Sequence, residues 1–93
     1  MTYEIRILPR ALKEWSKLGH TVREQFKRKL AERQDNPRVQ ADALRGKPDR
    51  YKIKLRSSGY RLINEVRDTE IVLLVIAVGK REGDLVYDLA DKR

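Results

Sequence analysis

One stretch limits the fold more than any other: Tyr51-Lys52-Ile53-Lys54-Leu55-Arg56-Ser57-Ser58-Gly59-Tyr60-Arg61. Tyr51, Ile53 and Leu55 alternate with Lys52, Lys54 and Arg56. Side chains on a β-strand point to opposite faces with period two, so a strand here puts three core residues on one face and three cations on the other. Ser57-Ser58-Gly59 supplies a turn, with glycine free to take positive φ. The chain re-enters a strand at Tyr60-Arg61-Leu62, and direct pairing adds Arg61 to the cationic face. Like charges gathered on one face cost free energy unless an anion sits among them, and phosphate is the anion that fits. The competing reading is a solvated edge strand that carries lysine to block further pairing.

The charge distribution extends this asymmetry. From Arg45 to Arg81 there are ten Lys and Arg against four acids, a net of +6 out of +8 for the chain. The excess belongs to the predicted sheet, as in a polyanion footprint. Ninety-three residues suit a single domain, 1–93, with no room for a second core. No run of about 18 apolar residues is present, so no membrane span is expected. The start Met-Thr-Tyr-Glu-Ile-Arg lacks the apolar region of a secretory signal, and with zero Cys there is no disulfide framework; both suit a cytoplasmic protein. With zero Cys and one His, a protein-held transition metal is not expected.

Taken in order, Thr2 to Leu8 reads as a strand with Tyr3, Ile5 and Ile7 inward. Pro9 opens a helix to about Leu18 that buries Ala11, Leu12, Trp15 and Leu18, with Gly19 as its C-terminal stop. Thr21 and Glu24 form a capping box for a second helix carrying Val22, Phe26 and Leu30 on one stripe, ending near Asp35-Asn36-Pro37. The short link makes the two helices an antiparallel hairpin. A loop over 37–49 follows, with a short helical turn around Val39, Ala41 and Leu44. Strands are expected at about 50–56, 60–67 and 71–78, with a turn at Asp68-Thr69. Ile71 to Val78 is apolar without alternation, as in a central strand covered on both faces. Gly79 ends it, and Asp84 caps a final helix over 85–91 docked by Leu85 and Leu89, marginal at that length and so mobile. This order gives an α+β fold: a small antiparallel sheet of about four strands packed on an N-terminal helical hairpin, with a short C-terminal helix.

The basic face would suit RNA. Cleavage by a ribose 2′-OH needs that hydroxyl deprotonated, the anionic phosphorus stabilised and the 5′ oxygen protonated as it leaves. A histidine pair is impossible because His20 is the only one, and it reads as structural or exposed. Asp42, Asp49, Asp68, Asp84 and Asp88 do not converge in this layout, and no P-loop or nucleophile elbow is present. That leaves Lys, Arg and Tyr. Arg61 and Arg81, always protonated, are phosphate clamps. The cationic neighbours of Lys54 disfavour its charged form, which makes it the candidate for proton transfer. Tyr87 can hydrogen-bond the 2′-OH or orient a base. Arg45, Lys47, Arg50, Arg56 and Lys80 lie close enough in sequence to extend RNA binding. No cofactor is implied.

Several segments together resemble the RelE family of toxins within the RelE/ParE superfamily. They are Arg10-Ala-Leu-Lys-Glu-Trp15, Thr21-Val-Arg-Glu24, Leu44-Arg-Gly46, Tyr51 through Leu62, and Val78-Gly-Lys-Arg-Glu82 followed by Tyr87. The resemblance implies a metal-independent endoribonuclease that cuts mRNA in the A site of the 70S ribosome by 2′-OH attack, leaving a 2′,3′-cyclic phosphate. It also implies a RelB-like antitoxin that blocks the toxin and binds operator DNA together with it. Matched position by position, the family's catalytic residues fall on Lys52, Lys54, Arg61, Arg81 and Tyr87. The preferred division is Lys54 for proton transfer and Lys52, Arg61 and Arg81 for phosphorane stabilisation. With few aromatic residues to stack bases, and weak acid–base groups, a pre-positioned codon would supply much of the rate. The alternatives are a ParE-like toxin that poisons DNA gyrase, and a non-catalytic basic nucleic-acid-binding module.

Overall fold

The computed structural model describes residues 2–93. Its elements are β1 (Glu4–Ile7), α1 (Pro9–Ser16), α2 (His20–Asp35), β2 (Arg50–Leu55), β3 (Tyr60–Arg67), β4 (Val72–Lys80) and α3 (Leu85–Asp91), with single 3₁₀ turns at Gln40–Asp42 and Glu82–Asp84. They form the expected α+β arrangement around one four-stranded sheet, ordered β1-β4-β3-β2. The β2, β3 and β4 strands are antiparallel, whereas β1 lies parallel to β4 at the far edge.

The sheet separates two layers. On one face Ile53, Leu55, Leu62, Val75 and Val78 pack with Ala11, Leu18, Phe26 and Leu30 of the N-terminal helices and their link. Trp15 and Phe26 bring α1 and α2 together, with ring centroids 6.3 Å apart. On the other face Ile63, Val72, Leu74, Ile76 and Ala77 pack with Val86 and Ala90 of α3. The seven residues Val72 to Val78 are all buried, as a strand covered on both sides requires.

Local details depart from the sequence reading for identifiable reasons. Residue α1 ends at Ser16, and the Lys17 and Leu18 amides turn back onto Glu14 and Trp15 carbonyls so that Leu18 is buried. Gly19 is therefore not a left-handed stop. It is extended (φ −66°, ψ 158°) and serves as the N-cap of α2, so His20 begins the helix and the Thr21 capping box does not form. Leu12 is 49% exposed, because only Ala11 of α1 points straight into the sheet. Ile71 lies outside the strand, in a left-handed conformation (φ 57°) that closes the β3–β4 turn. Gly79 does not break β4, which runs on to Lys80 with Gly79 opposite Arg61. Leu85 is 61% exposed, and Val86 and Ala90 dock α3 with help from Leu89. Gly83 and Asp84 both take left-handed φ just ahead of the helix, and Asp84 occupies the N-cap position without a side-chain capping hydrogen bond.

Candidate active site

The alternation of 50–55 folds as read: Tyr51, Ile53 and Leu55 are buried, and Lys52 and Lys54 are half-exposed on the opposite face. The four-residue connection 56–59 ends on Gly59 at φ 76°, which re-aims the chain into β3. The register then sets Lys54 opposite Arg61 and Arg61 opposite Gly79, so three adjacent strands meet at this point. With no side chain at Gly79, Val86 of α3 closes over the gap; a Cβ there would sit 3.7 Å from that of Val86. Arg81 follows β4, its amide bonded to the Gly59 carbonyl at 3.0 Å, which ties it to the β2–β3 turn.

Lys52, Lys54, Arg61, Arg81 and Tyr87 line one open depression of about 570 Å³, together with Glu82, Gly83 and Asp84. Lys54, Arg61 and Arg81 also wall a second depression of about 520 Å³ completed by Arg56, Ser57, Ser58 and Gly59. The two make one trough. Lys54 and Arg56 further border a larger groove, about 940 Å³, running along α2 past Arg28 and Lys29.

Several cations elsewhere on the fold are tied to carboxylates. Arg33 bridges Asp42, Arg38 bridges Asp49 and Asp68, Arg67 bridges Glu65, and Arg93 bridges Glu14. Among the described residues, Lys52, Lys54, Arg61 and Arg81 take part in no salt bridge. Arg61 is only 6% exposed, yet its guanidinium donates to the Tyr60 carbonyl at 3.0 Å and to no carboxylate. A buried guanidinium with no carboxylate is costly unless something else supplies the negative charge. The trough is therefore built for an anion.

The outer basic residues divide. Arg56 joins the trough. Lys80 lies at its edge, 5.6 Å above the Tyr60 ring, and Arg45 is exposed in the 43–47 loop away from it. The Arg50 guanidinium is engaged within the protein and is not in the lining of either depression: it bridges Glu65 at 3.1 Å and donates to the Ala90 carbonyl at 2.7 Å. Lys47 reaches Asp91 at 3.6 Å. Both therefore hold α3, because the end of that helix lands beside them. His20 is exposed at the start of α2, far from the trough's lining.

Glu82 and Asp84 were not singled out for the basic site, although both line it. Their signal in the sequence is only position, immediately after Arg81. Among the described residues no group of three or more His, Cys, Asp or Glu side chains is placed to hold a metal ion, and no helix is long and apolar enough to cross a membrane.

A helix-backed sheet with this unpaired cationic trough defines a toxin of the RelE/ParE type. Residues 5–85 match the family described as the ParE toxin of type II toxin–antitoxin systems, and the chain belongs to that family. It is 59% identical over its whole length to the mRNA interferase toxin RelE of Escherichia coli K12, covering 98% of that protein. A free-state structure of an arginine-to-alanine double variant of E. coli RelE superimposes with a TM-score of 0.93 at 58% identity, covering 100% of this chain and 98% of that one. The toxin in the intact E. coli RelBE toxin–antitoxin complex aligns with a TM-score of 0.82 at 60% identity over 84% of this chain and 95% of that one.

Proposed function

We propose that this chain is an mRNA endonuclease toxin of a type II toxin–antitoxin pair, neutralised by a RelB-like antitoxin, with the trough around Lys54, Arg61 and Arg81 as its active site. The observation that carries the reading is that these three side chains and Lys52 and Tyr87 border one depression, in which the four cations take part in no salt bridge among the described residues. The 59% identity to an mRNA interferase supports the substrate class, and the RelBE complex supports the antitoxin class.

In this reading the 2′-OH of the nucleotide bound between Lys54 and Tyr87 attacks its own 3′ phosphorus. Its proton passes to Lys54, the residue cast here in proton transfer, or to solvent held by Tyr87. Charge builds on the phosphorane oxygens, where Lys52, Arg61 and Arg81 donate hydrogen bonds. The P–O5′ bond then breaks, the 5′ oxygen takes a proton from the returning ammonium, and the upstream fragment keeps a 2′,3′-cyclic phosphate. The second depression, with Arg56 and the Ser57 and Ser58 hydroxyls, takes the neighbouring nucleotide's phosphate. Tyr87 is the one aromatic residue among those lining the two depressions, which gives bases little to stack on, so the substrate is best supplied already ordered; mRNA held in the ribosomal A site satisfies that need. The cell's cytoplasm is where such a substrate is found, and operator DNA is bound through the antitoxin.

The test is a translation extract supplemented with the purified protein, read by primer extension on the mRNA. Codon-aligned breaks that vanish with Lys54→Ala or Arg81→Ala, both retaining the wild-type melting profile, support the reading. Equal cutting of naked RNA would remove the ribosome from it. The second reading is a ParE-like toxin that poisons DNA gyrase, kept because the matching family is described as the ParE toxin; inhibition of supercoiling without mRNA breaks would favour that.

A further inference from the structure

The far end of α3 is fastened to α1, and we propose that Glu14 and Arg93 form a latch that positions Tyr87 over the cationic trough. This rests on the ribonuclease reading above. The latch begins with an unfinished strand edge. The β1 strand covers β4 only as far as Val75, where Ile7 is its register partner and the Leu8 amide donates to the Val75 carbonyl at 3.1 Å. Beyond that point the β3–β4 ladder also skips a residue: Ile63 faces Ala77 and Asn64 faces Val75, leaving Ile76 without a partner.

Two side chains complete this edge. Glu14 Oε1 accepts a hydrogen bond from the Val78 amide at 3.1 Å, and Arg93 Nη1 donates to the Ile76 carbonyl at 2.9 Å. They also close on each other in a two-pronged pair, Nη1 to Oε1 at 3.0 Å and Nη2 to Oε2 at 2.9 Å. Arg93 is 9% exposed at its side chain and Glu14 20%, so the pair is largely shielded from solvent and its geometry is fixed by both backbones. On the other flank Arg50 holds the Ala90 carbonyl and Lys47 holds Asp91.

These contacts matter because α3 has seven residues, too few to persist as an isolated helix. Its order must come from docking. Val86 and Ala90 supply the apolar contact, and Tyr87 is carried between them at the trough's rim. Arg93 touches nothing in the trough. It is a positioning residue, acting through the helix on Tyr87.

The experiment pairs single-turnover cleavage of ribosome-bound mRNA with amide hydrogen exchange, using the full chain. Arg93→Ala should slow cleavage at saturating toxin by on the order of tenfold, as misplacement of a reacting group does, with little change in the half-saturating toxin concentration. In a Tyr87→Ala background the same substitution should cost less than about twofold, since neighbours acting through one group are not additive. Amides of 85–91 should exchange faster while those of β3 and β4 stay protected. If Arg93→Ala does not fold, Arg93→Lys, which cannot span both Glu14 oxygens, carries the same expectations. An unchanged exchange pattern overturns the latch; the full tenfold loss persisting without Tyr87 overturns its positioning role. A wild-type protein that cuts no ribosome-bound mRNA overturns the ribonuclease reading, and the exchange measurement then still decides the latch.

Discussion

Lys54 and Arg61 stand directly opposite each other across the β2–β3 ladder, and among the described residues neither takes part in a salt bridge. Facing cations on one sheet face repel, by roughly 0.2–1 kcal/mol for an exposed pair. In the proposed function an anion lies between them and offsets this repulsion. Thermal melting should therefore rise with added inorganic phosphate in the wild type. Lys54→Met should melt as high or higher without phosphate, respond less to phosphate, and lose cleavage. A variant that melts lower and keeps its phosphate response would contradict this account.

Asn64 is fully buried beside the irregularity in the β3–β4 ladder, and both its side-chain Nδ2 and Oδ1 lack a hydrogen-bond partner in the protein. An unsatisfied buried amide costs about 1–3 kcal/mol. Asn64→Leu, close in volume, should raise stability by about 1 kcal/mol or more in urea unfolding, and leave cleavage intact because the side chain faces the helical layer. A lower denaturation midpoint would show that the amide is satisfied in solution.

Much of this was legible from the chain, and what was not has a common cause. The 51–56 alternation and the apolar run 72–78 report burial directly, so β2, β4 and the cationic face could be read by period alone. Gly19, Ile71 and Leu85 escape a local reading because each sits at a short connection: Gly19 is an extended cap ahead of α2, Ile71 closes the β3–β4 turn at positive φ, and α3 follows two left-handed residues and docks by Val86 and Ala90 instead of Leu85. The positions of Arg50 and Lys47 depend on where α3 ends, and Glu14 meets Arg93 from the opposite end of the sequence. No local pattern encodes those meetings. The notion of a mobile last helix likewise came from its length, and contacts from α1, β2 and the 43–47 loop region are what hold it in the structure.

Ile71 is a β-branched residue at φ 57°, a conformation its side chain disfavours. Ile71→Gly should relieve the strain and stabilise the protein by about 0.5–1 kcal/mol, the half-buried side chain offsetting part of the gain. Chemical denaturation of the two proteins measures it; a loss of stability would mean that the Ile71 contacts outweigh the backbone strain.

Burial pushes the Glu65 carboxyl up, but hydrogen bonds from Arg67 at 2.7 Å and Arg50 at 3.1 Å outweigh it and hold the group below its ordinary value of 4.5. A carboxyl depressed in the folded state stabilises above its unfolded pKa, and that contribution is lost as pH falls through the folded one. The stability difference between wild type and Glu65→Gln should thus be full at neutral pH and shrink below about pH 4.5. A difference that is flat with pH, followed by urea unfolding at a series of pH values, would exclude this role.

In the proposed mechanism the trough steadies negative charge while a ribose attacks its neighbouring phosphorus. The most direct measurement places a single 2′-deoxynucleotide at the cleaved position of a ribosome-bound mRNA and analyses the fragment ends by mass. The all-ribose mRNA should yield an upstream fragment ending in a 2′,3′-cyclic phosphate, and the 2′-deoxy substrate should not be cut at that position. Cleavage of the 2′-deoxy substrate at an undiminished rate, leaving a 3′-hydroxyl or a linear phosphate, would contradict it.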